Sequence, residues 1–328
     1  MQTLSKETPY EGLSPEAILR AVEGVTGQRG TGGLFALNSF ENRVYDVAID
    51  NGPNLIAKFY RPYRWSAATI LEEHAFTTEL STAEIPVVGP LTFGGKTLFE
   101  AEGYLFSLFP KRGGRPLELR TEDDFLHMGR LVARVHTVGS RGCFQHRANL
   151  NVKTFGWDNL VYLRQSGMVP PHLMTAYDAT VSQLLTRLDA LWTGRSFRLR
   201  LHGDVHLGNV LVDREAFLVD LDDCLSGPAV QDLWMLASGD GPELSRQMGL
   251  LVQGYTQLRD FDYTELSLVE GLRTLRMINY TAWLARRWND PTFPRNFPFF
   301  AGQDYWQRHI LALKEQMAAL DEPLLVKV

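Results

Sequence analysis

Apolar positions in the first hundred residues follow two periods in turn. Ser14-Pro15-Glu16 ahead of AILRAV reads as a helix start. Ser14 is the N-cap, and proline occupies the first helical position, where a missing N–H costs nothing. A glycine-rich stretch over residues 24–33 ends that pattern, and Gly30-Thr31-Gly32 reads as linker. Strand alternation follows over residues 34–60, in LFALNSF, RVYDVAID and NLIAKFY. The last two are joined by Asn51-Gly52, a dipeptide that accepts the positive φ of a tight hairpin turn. Helical spacing returns over residues 67–81, with Ile70, Leu71, Ala75 and Leu80 apolar. Short strands are expected at residues 91–93 and 104–109. The order β-β-β-α-β-β predicts one antiparallel sheet carrying one main helix.

Beyond Pro110 and the KRGGR segment, the pattern turns helical. Thr121-Glu-Asp-Asp124 has the form of a capping box with Asp in place of Glu or Gln. It leads into a helix with Phe125, Met128, Leu131, Val132 and Val135 on one face. A second helix is predicted over residues 172–192, with Tyr177, Val181, Leu184, Leu185, Leu188 and Trp192 at helical spacing. Strand signals return briefly in FRLRLHGD, NVLVD and AFLVDLDD. Helices dominate from Gln231 onward, apart from a Pro- and Phe-rich loop at residues 289–300. The fold class is therefore α+β in two lobes. A small antiparallel β-sheet lobe spans residues 1–109. A larger, mainly helical lobe spans 110–328, with a short β-ribbon at its mouth.

Composition adds exclusions. A chain of 328 residues, 45% hydrophobic and 22% charged, is long enough for two packed lobes. Its net charge of −5 lacks the basic footprint of a nucleic-acid binder. The two cysteines, Cys143 and Cys224, form no CxxC pair, which argues against a disulfide scaffold or zinc ribbon and fits a reducing cytosol. The N-terminal stretch carries scattered charges and no apolar signal core, and no run reaches the ~18 apolar residues that span a bilayer. The expectation is a cytoplasmic monomer with no nucleic-acid or membrane partner.

The chemistry concentrates at His202-Gly-Asp204-Val-His206-Leu-Gly-Asn209 and at Asp220, which ends the strand AFLVD. The offset from Asp204 to Asn209 is that of the kinase catalytic loop H-R-D-L-x-x-x-N. Phosphoryl transfer demands positioning and charge stabilisation more than covalent chemistry. One carboxylate must take the acceptor hydroxyl's proton, and a carboxylate with an amide oxygen suits hard, octahedral Mg²⁺. Asp204 and Asp220 are the catalytic candidates, with Asn209 and Asp220 as metal ligands. Asp and Asn in loops are commonly turn formers, but turns do not require this whole set between two apolar strands. A zinc hydrolase using His202, Asp204 and His206 would need further ligands at fitting spacing, and none is nearby. The two histidines are expected to support the loop.

Lys58, on the third predicted strand, has the setting of the lysine that grips nucleotide phosphates. Its partner is expected on the following helix, where Glu72 and Glu73 both lie; Glu73 is favoured because it shares the inner face with Leu80. In the turn between the first two strands, Ser39 and Asn42 are placed to donate to phosphates where kinases use glycines. Gly94-Gly95-Lys96-Thr97 lacks the first glycine of a Walker loop and reads as a hairpin turn. Asp232 is expected to cap amides beneath the catalytic loop. Asp222 and Asp223 are secondary candidates for metal or water contacts. Trp283–Trp288 is read as core in preference to a cation–π site.

HGDVHLGN followed by FLVDLDD resembles the aminoglycoside-phosphotransferase and choline-kinase branch of the protein-kinase-like fold. LNSFENRVYDV, AKFYRPYRW, ILEEHAF, GPAVQDLWML and TAWLARRWNDPTFPRNFPFF are similar to the bacterial stress response kinase A family, over roughly residues 34–306. The resemblance implies a two-lobed kinase-like fold. It also implies a Ser/Thr protein kinase that counters stress-induced death, using ATP and Mg²⁺. It makes Asp204 the proton acceptor, Asn209 and Asp220 magnesium ligands, and Ser39 an ATP-site residue. Ser39 lacks the glycine neighbours of ordinary protein kinases. No DFG or APE segment is present, so no phosphorylated activation loop is expected. A small-molecule kinase acting on an amino-alcohol or sugar is the alternative. A nucleotide-binding pseudokinase is disfavoured by the intact Lys58, Asp204, Asn209 and Asp220.

Overall fold

The computed structural model describes residues 8–239 and 241–322; the first seven residues, on which part of the N-terminal reading falls, lie outside them. Strands β1 (Gly30–Ala36), β2 (Arg43–Ile49), β3 (Leu55–Phe59), β4 (Phe99–Ala101) and β5 (Tyr104–Pro110) form one antiparallel sheet in the order β1-β2-β3-β5-β4. Helix α1 (Pro15–Thr26) starts as expected, with the Ser14 hydroxyl accepting from Ala17 N. Its Ile18, Ala21 and Val22 join Val47, Leu55, Ala57, Phe59, Phe106 and Leu108 in the core of this sheet. Each fully buried Phe or Leu there contributes about 1.5–3 kcal/mol.

Helix α2 (Ala67–Thr82), capped by Ser66, buries Ile70, Phe76 and Leu80, but it also buries Thr69, Glu73, His74 and Thr77. A helix that turns polar groups inward must find partners for them: Thr69 pairs with Ser66, His74 with Tyr60 and Thr97, Thr77 with the Glu73 carbonyl, and Glu73 with Arg147 of the candidate site.

Two sheet expectations change. The glycine stretch read as linker is the first half of β1, whose pairing with β2 shifts between Gly30 and Leu34. Gly32 has φ of 86°, and a Cβ on Gly33 would lie 3.0 Å from the Ala48 Cβ, so glycines make this irregular strand possible. The strand expected at residues 91–93 is reduced to one bond, Leu91 N to Leu108 O, and the pair Phe93–Lys96. Pro90, with no N–H, cannot extend that ladder. Strand pairing with β5 falls instead to β4. Gly94 and Gly95, with φ of 55° and 76°, turn the Phe93–Lys96 hairpin as expected.

The chain divides into two compact units. The first combines the described residues up to Leu117 with Gln145–Arg147 and Leu207–Asp222. The sequence break expected near residue 110 therefore falls later, and the segment carrying Asn209 and Asp220 belongs with the sheet. Backbone hydrogen bonds explain this. A ribbon of β6 (Arg115–Pro116), β8 (Val210–Val212) and β9 (Ala216–Leu218) pairs in the order β6-β8-β9. Val88 N donates to Leu218 O, and Leu218 N to Pro86 O.

The second unit is built on helices α3 (Glu122–Gly139), α4 (Asp158–Ser166), α5 (Pro171–Trp192), α6 (Gln231–Trp234), α7 (Gly241–Thr256), α8 (Val269–Arg286), α9 (Thr292–Asn296) and α10 (Gln303–Ala319), with one strand pair, β7 (Leu199–Leu201) and β10 (Leu225–Gly227). The Thr121–Asp124 capping box forms in both directions. α3 and α7 approach closely because Gly129 and Gly254 sit at their crossing. A Cβ on Gly129 would meet Leu251 O at 2.1 Å, and one on Gly254 would meet Leu126 O at 2.2 Å. The Pro- and Phe-rich segment expected as loop is largely α9 and a turn at Pro298–Ala301. Its Phe293 and Phe297 rings pack against Trp283, and Phe300 against Trp288 and Trp306. Trp283 and Trp288 are half-buried in this aromatic cluster, and the Arg287 guanidinium lies over the Trp283 ring. No helix among the described residues is long and apolar enough to cross a membrane.

Candidate active site

In the first unit, Lys58 projects from β3 opposite Val44 on one side and Ser107 on the other. It is 6% exposed. Its Nζ donates to Asp220 Oδ1 at 2.8 Å and lies 3.3 Å from Asp222 Oδ1. Burial lowers its pKa, but Asp220, Asp222 and Glu73 outweigh that and hold it well above the usual lysine value.

Asp220 follows β9 with φ of 59°, a left-handed conformation unusual for a residue with a Cβ. Its side chain is half exposed. Asn209 ends a short 3-10 turn, and its carbonyl accepts from Val219 N at 3.0 Å. The β8–β9 register therefore keeps Asn209 beside the residue that precedes Asp220. A carboxylate and an amide suit Mg²⁺, which takes its remaining oxygens from phosphates and water. No cluster of three His, Cys, Asp or Glu side chains at metal-binding distance occurs among the described residues. That absence is compatible with a site completed by nucleotide.

The pairing expected between Lys58 and Glu73 is corrected. Glu73 Oε2 accepts from Arg147 Nη2 at 2.8 Å, and Lys58 is held by Asp220 and Asp222 instead. Arg147 is itself buried. It donates from Nε to Thr69 O at 3.0 Å and from Nη1 to Asp222 O at 2.6 Å, and it lies over the Trp65 ring. A guanidinium satisfies three acceptors at fixed angles, which an ammonium cannot do. Burial pushes the Glu73 carboxyl upward, against the pull of Lys58 and Arg147. Glu72, the other candidate, caps backbone: its carboxylate accepts from Gln145, His146 and Arg147 N–H groups.

Asn42 is also corrected. It is 3% exposed; its Oδ1 accepts from Arg61 N at 3.1 Å, and its Nδ2 donates to Asp222 Oδ2 at 3.2 Å. It holds the turn from beneath instead of facing a phosphate. Glu41 adds a second anchor, since its carbonyl accepts from Tyr10 and Arg61 and its carboxylate lies 3.3 Å from Arg61 Nε. These anchors leave Ser39 near the surface, and its hydroxyl has no hydrogen-bond partner among the described residues. A turn held by side chains does not need glycine to fix its shape.

Asp222, given a secondary role from the sequence, is the hub of this unit. Buried at 3% exposure, it binds Lys58, Arg64 and Asn42. Burial raises its pKa, but the charges of Lys58, Arg64 and Arg147 overcome this and hold it far below the usual carboxylate range. Sequence reasoning missed Arg64 and Arg147. The RPYRW run gave a signal for Arg64, whereas nothing local marks Arg147.

In the second unit, β7 leads into His202, which is fully buried. Asp232, also fully buried, accepts from His202 N and Gly203 N, both at 2.8 Å, and lies 3.0 Å from His136 Nε2. Gln231 Nε2 donates to Gly203 O at 2.9 Å. Gly203 has φ of 86°, and a Cβ there would meet Asp223 O at 2.4 Å, so only glycine fits. The capping expected of Asp232 is observed, and His202 supports the loop through Nδ1, which accepts from Asp204 N at 3.4 Å.

Asp204 thus emerges from a rigid turn. Its Oδ1 accepts from Arg276 Nη1 on α8 at 2.7 Å, and its Oδ2 lies 3.4 Å from His206 Nε2. Burial would raise its pKa, but the His206 hydrogen bond and the Arg276 charge keep it well below the usual range. The carboxylate is therefore ionised at neutral pH, as a proton acceptor must be. No sequence signal pointed to Arg276.

A family model described as "Phosphotransferase enzyme family" matches residues 35–269. The chain is 40% identical to stress response kinase A of Escherichia coli K12 over 314 residues, covering 96% of this chain and 95% of the relative. It is 39% identical to the serine/threonine protein kinase RdoA of Salmonella typhimurium LT2, with the same coverage. Among solved structures it resembles amicoumacin kinase hAmiN in complex with AMP-PNP, Ca²⁺ and Ami, with a TM-score of 0.71 and 19% identity over 94% of each chain. It also resembles a microcompartment-associated aminopropanol kinase, with a TM-score of 0.70 and 19% identity over 94% of this chain and 100% of the other. The expected kinase-like fold is thereby established, and the chain belongs to the phosphotransferase enzyme family as a relative of the stress response kinases.

Proposed function

We propose that this phosphotransferase is a Ser/Thr protein kinase that moves the γ-phosphate of ATP to a side-chain hydroxyl. The observation that carries the reading is the end-to-end likeness to stress response kinase A and RdoA, at 39–40% identity over 96% of the chain. The strand-rich unit carries the nucleotide and metal candidates Lys58, Asn209 and Asp220, and the helical unit carries the proton-acceptor candidate Asp204.

Asp204, ionised and fixed by its loop, accepts the proton of the attacking hydroxyl. Lys58 exchanges Asp220 for nucleotide phosphate, since both present anionic oxygens to the same ammonium. Asp220 and the Asn209 amide are then available to hold Mg²⁺, which when bound neutralises charge on the phosphate oxygens. Ser39 donates its hydroxyl to a phosphate from the anchored turn. Asp222, Arg64, Arg147 and Glu73 hold Lys58 and the turn in place and make no contact with substrate. Neither Cys143 nor Cys224 forms a disulfide, which favours a reducing, cytoplasmic setting.

The test is transfer of labelled phosphate from Mg-ATP to casein-like protein and to a panel of small alcohols, offered to the same preparation. Label on protein Ser or Thr supports the reading. Label confined to the small alcohols sinks it and establishes the small-molecule alternative.

A further inference from the structure

Arg276 lies in the middle of α8 with its side chain 48% exposed, and its guanidinium donates to the carboxylate assigned as proton acceptor. Its neighbour Arg273 differs: its charge is compensated by Glu270 at 3.3 Å, and it lies over the Trp234 ring. The cation of Arg276 is thus directed at Asp204 while remaining open to solvent.

We propose that Arg276 is a positioning and specificity residue for the acceptor: it holds one oxygen of Asp204 and sets a positive charge beside the acceptor hydroxyl. A hydroxyl next to an ammonium then gains no advantage over one on an uncharged framework, such as a serine within a polypeptide. The inference rests on Asp204 being the proton acceptor, as in the reading above.

The electrostatics are simple. A bare carboxylate attracts any ammonium carried next to the hydroxyl it deprotonates. Paired with Arg276, the same carboxylate is nearly neutral to an approaching charge. At an effective dielectric of about 20 and a separation of about 6 Å, the attraction of a bare carboxylate that Arg276 cancels corresponds to roughly a hundredfold in rate or binding. Arg276 is half exposed, so solvent and salt reduce the effect to about tenfold.

The experiment uses two matched acceptor pairs with the full chain and Mg-ATP. One pair is a peptide beginning with serine, with its α-amino group free or acetylated; the free form is a vicinal ammonium alcohol at pH 7. The other is 1-amino-2-propanol against 1,2-propanediol. In the wild type, the two members of the pair that takes label should have kcat/KM values within about threefold of each other. Arg276→Gln should shift the ratio about tenfold toward the ammonium member, and Arg276→Lys, which keeps the charge, should restore the wild-type ratio. A wild type that already prefers the ammonium member about tenfold, or a ratio unchanged in Arg276→Gln, overturns the proposal. Raising salt from about 0.05 to 0.5 M should shrink the shift seen in Arg276→Gln; a shift insensitive to salt counts against it. Label appearing only on the propanol pair would end the protein-kinase reading, while the Arg276 ratio is still measured on that pair.

Discussion

Replacing Arg147 tests the reassigned partner of Glu73 directly. Arg147 is buried with its side chain fully enclosed, and Arg147→Met removes three hydrogen bonds while leaving the Glu73 carboxylate inside. Breaking a buried ion pair from one side costs about 3–5 kcal/mol, because the remaining charge loses its compensation. Glu73→Gln keeps the shape and one acceptor and should cost about 1–2 kcal/mol. In the double variant no charge is stranded, so the losses should not add. A coupling of about 2 kcal/mol between positions 73 and 147 is expected. The same cycle with Lys58→Met reports the charge interaction without a hydrogen bond and should give a smaller coupling, since Lys58 donates its hydrogen bond to Asp220 and pairs with Asp222. Urea unfolding at pH 7, with midpoints compared at constant slope, provides the measurement. A larger coupling of Glu73 to Lys58 than to Arg147 would refute the assignment.

Asp232→Asn should cost about 3–4 kcal/mol in the same assay, because the amide nitrogen cannot accept from one of the two N–H groups the carboxylate now serves. Its phosphate transfer should fall as well; a variant of unchanged stability would show that the loop does not depend on this cap. Asp204→Asn should lower kcat by roughly 10²–10⁴-fold with ATP binding retained, measured by label transfer and nucleotide titration, and near-normal turnover would remove Asp204 from the proton-accepting role. Burial lowers the pKa of His74 to about 3, with the nearby Lys58 and Arg147 acting in the same direction. Below pH 6.5 the unfolded chain therefore binds a proton there that the folded chain refuses, and stability falls as pH falls. About 2 kcal/mol should be lost from this residue between pH 7 and 5, and His74→Gln should flatten that part of the urea-midpoint profile.

How far the sequence revealed the site depends on which interactions a local pattern records. The loop from His202 to Asn209, Asp220 at a strand end, and Lys58 on a strand are each defined by neighbours in the chain, and their positions on loop and strand were legible. Asp232 was legible from its place in GPAVQDLW, ten residues past Asp222. The charge partners were not. Lys58 meets Asp220 and Asp222 across 162 and 164 positions, and Glu73 meets Arg147 across 74. A glutamate one helix after a lysine is the economical local guess, and here a distant guanidinium supplied a better-fitting partner. Asn42 and Ser39 show the same limit within one turn. Both residues can donate to phosphate, but only tertiary structure turns Asn42 inward to Asp222 and leaves Ser39 outward. Residues that do chemistry are constrained by short motifs, whereas those that hold them are selected by the shape and charge of a buried site. Arg147, Asp222 and Arg276 belong to the second group. A site can therefore be recognised from its motif and still require the folded chain to show what fixes its ionisation.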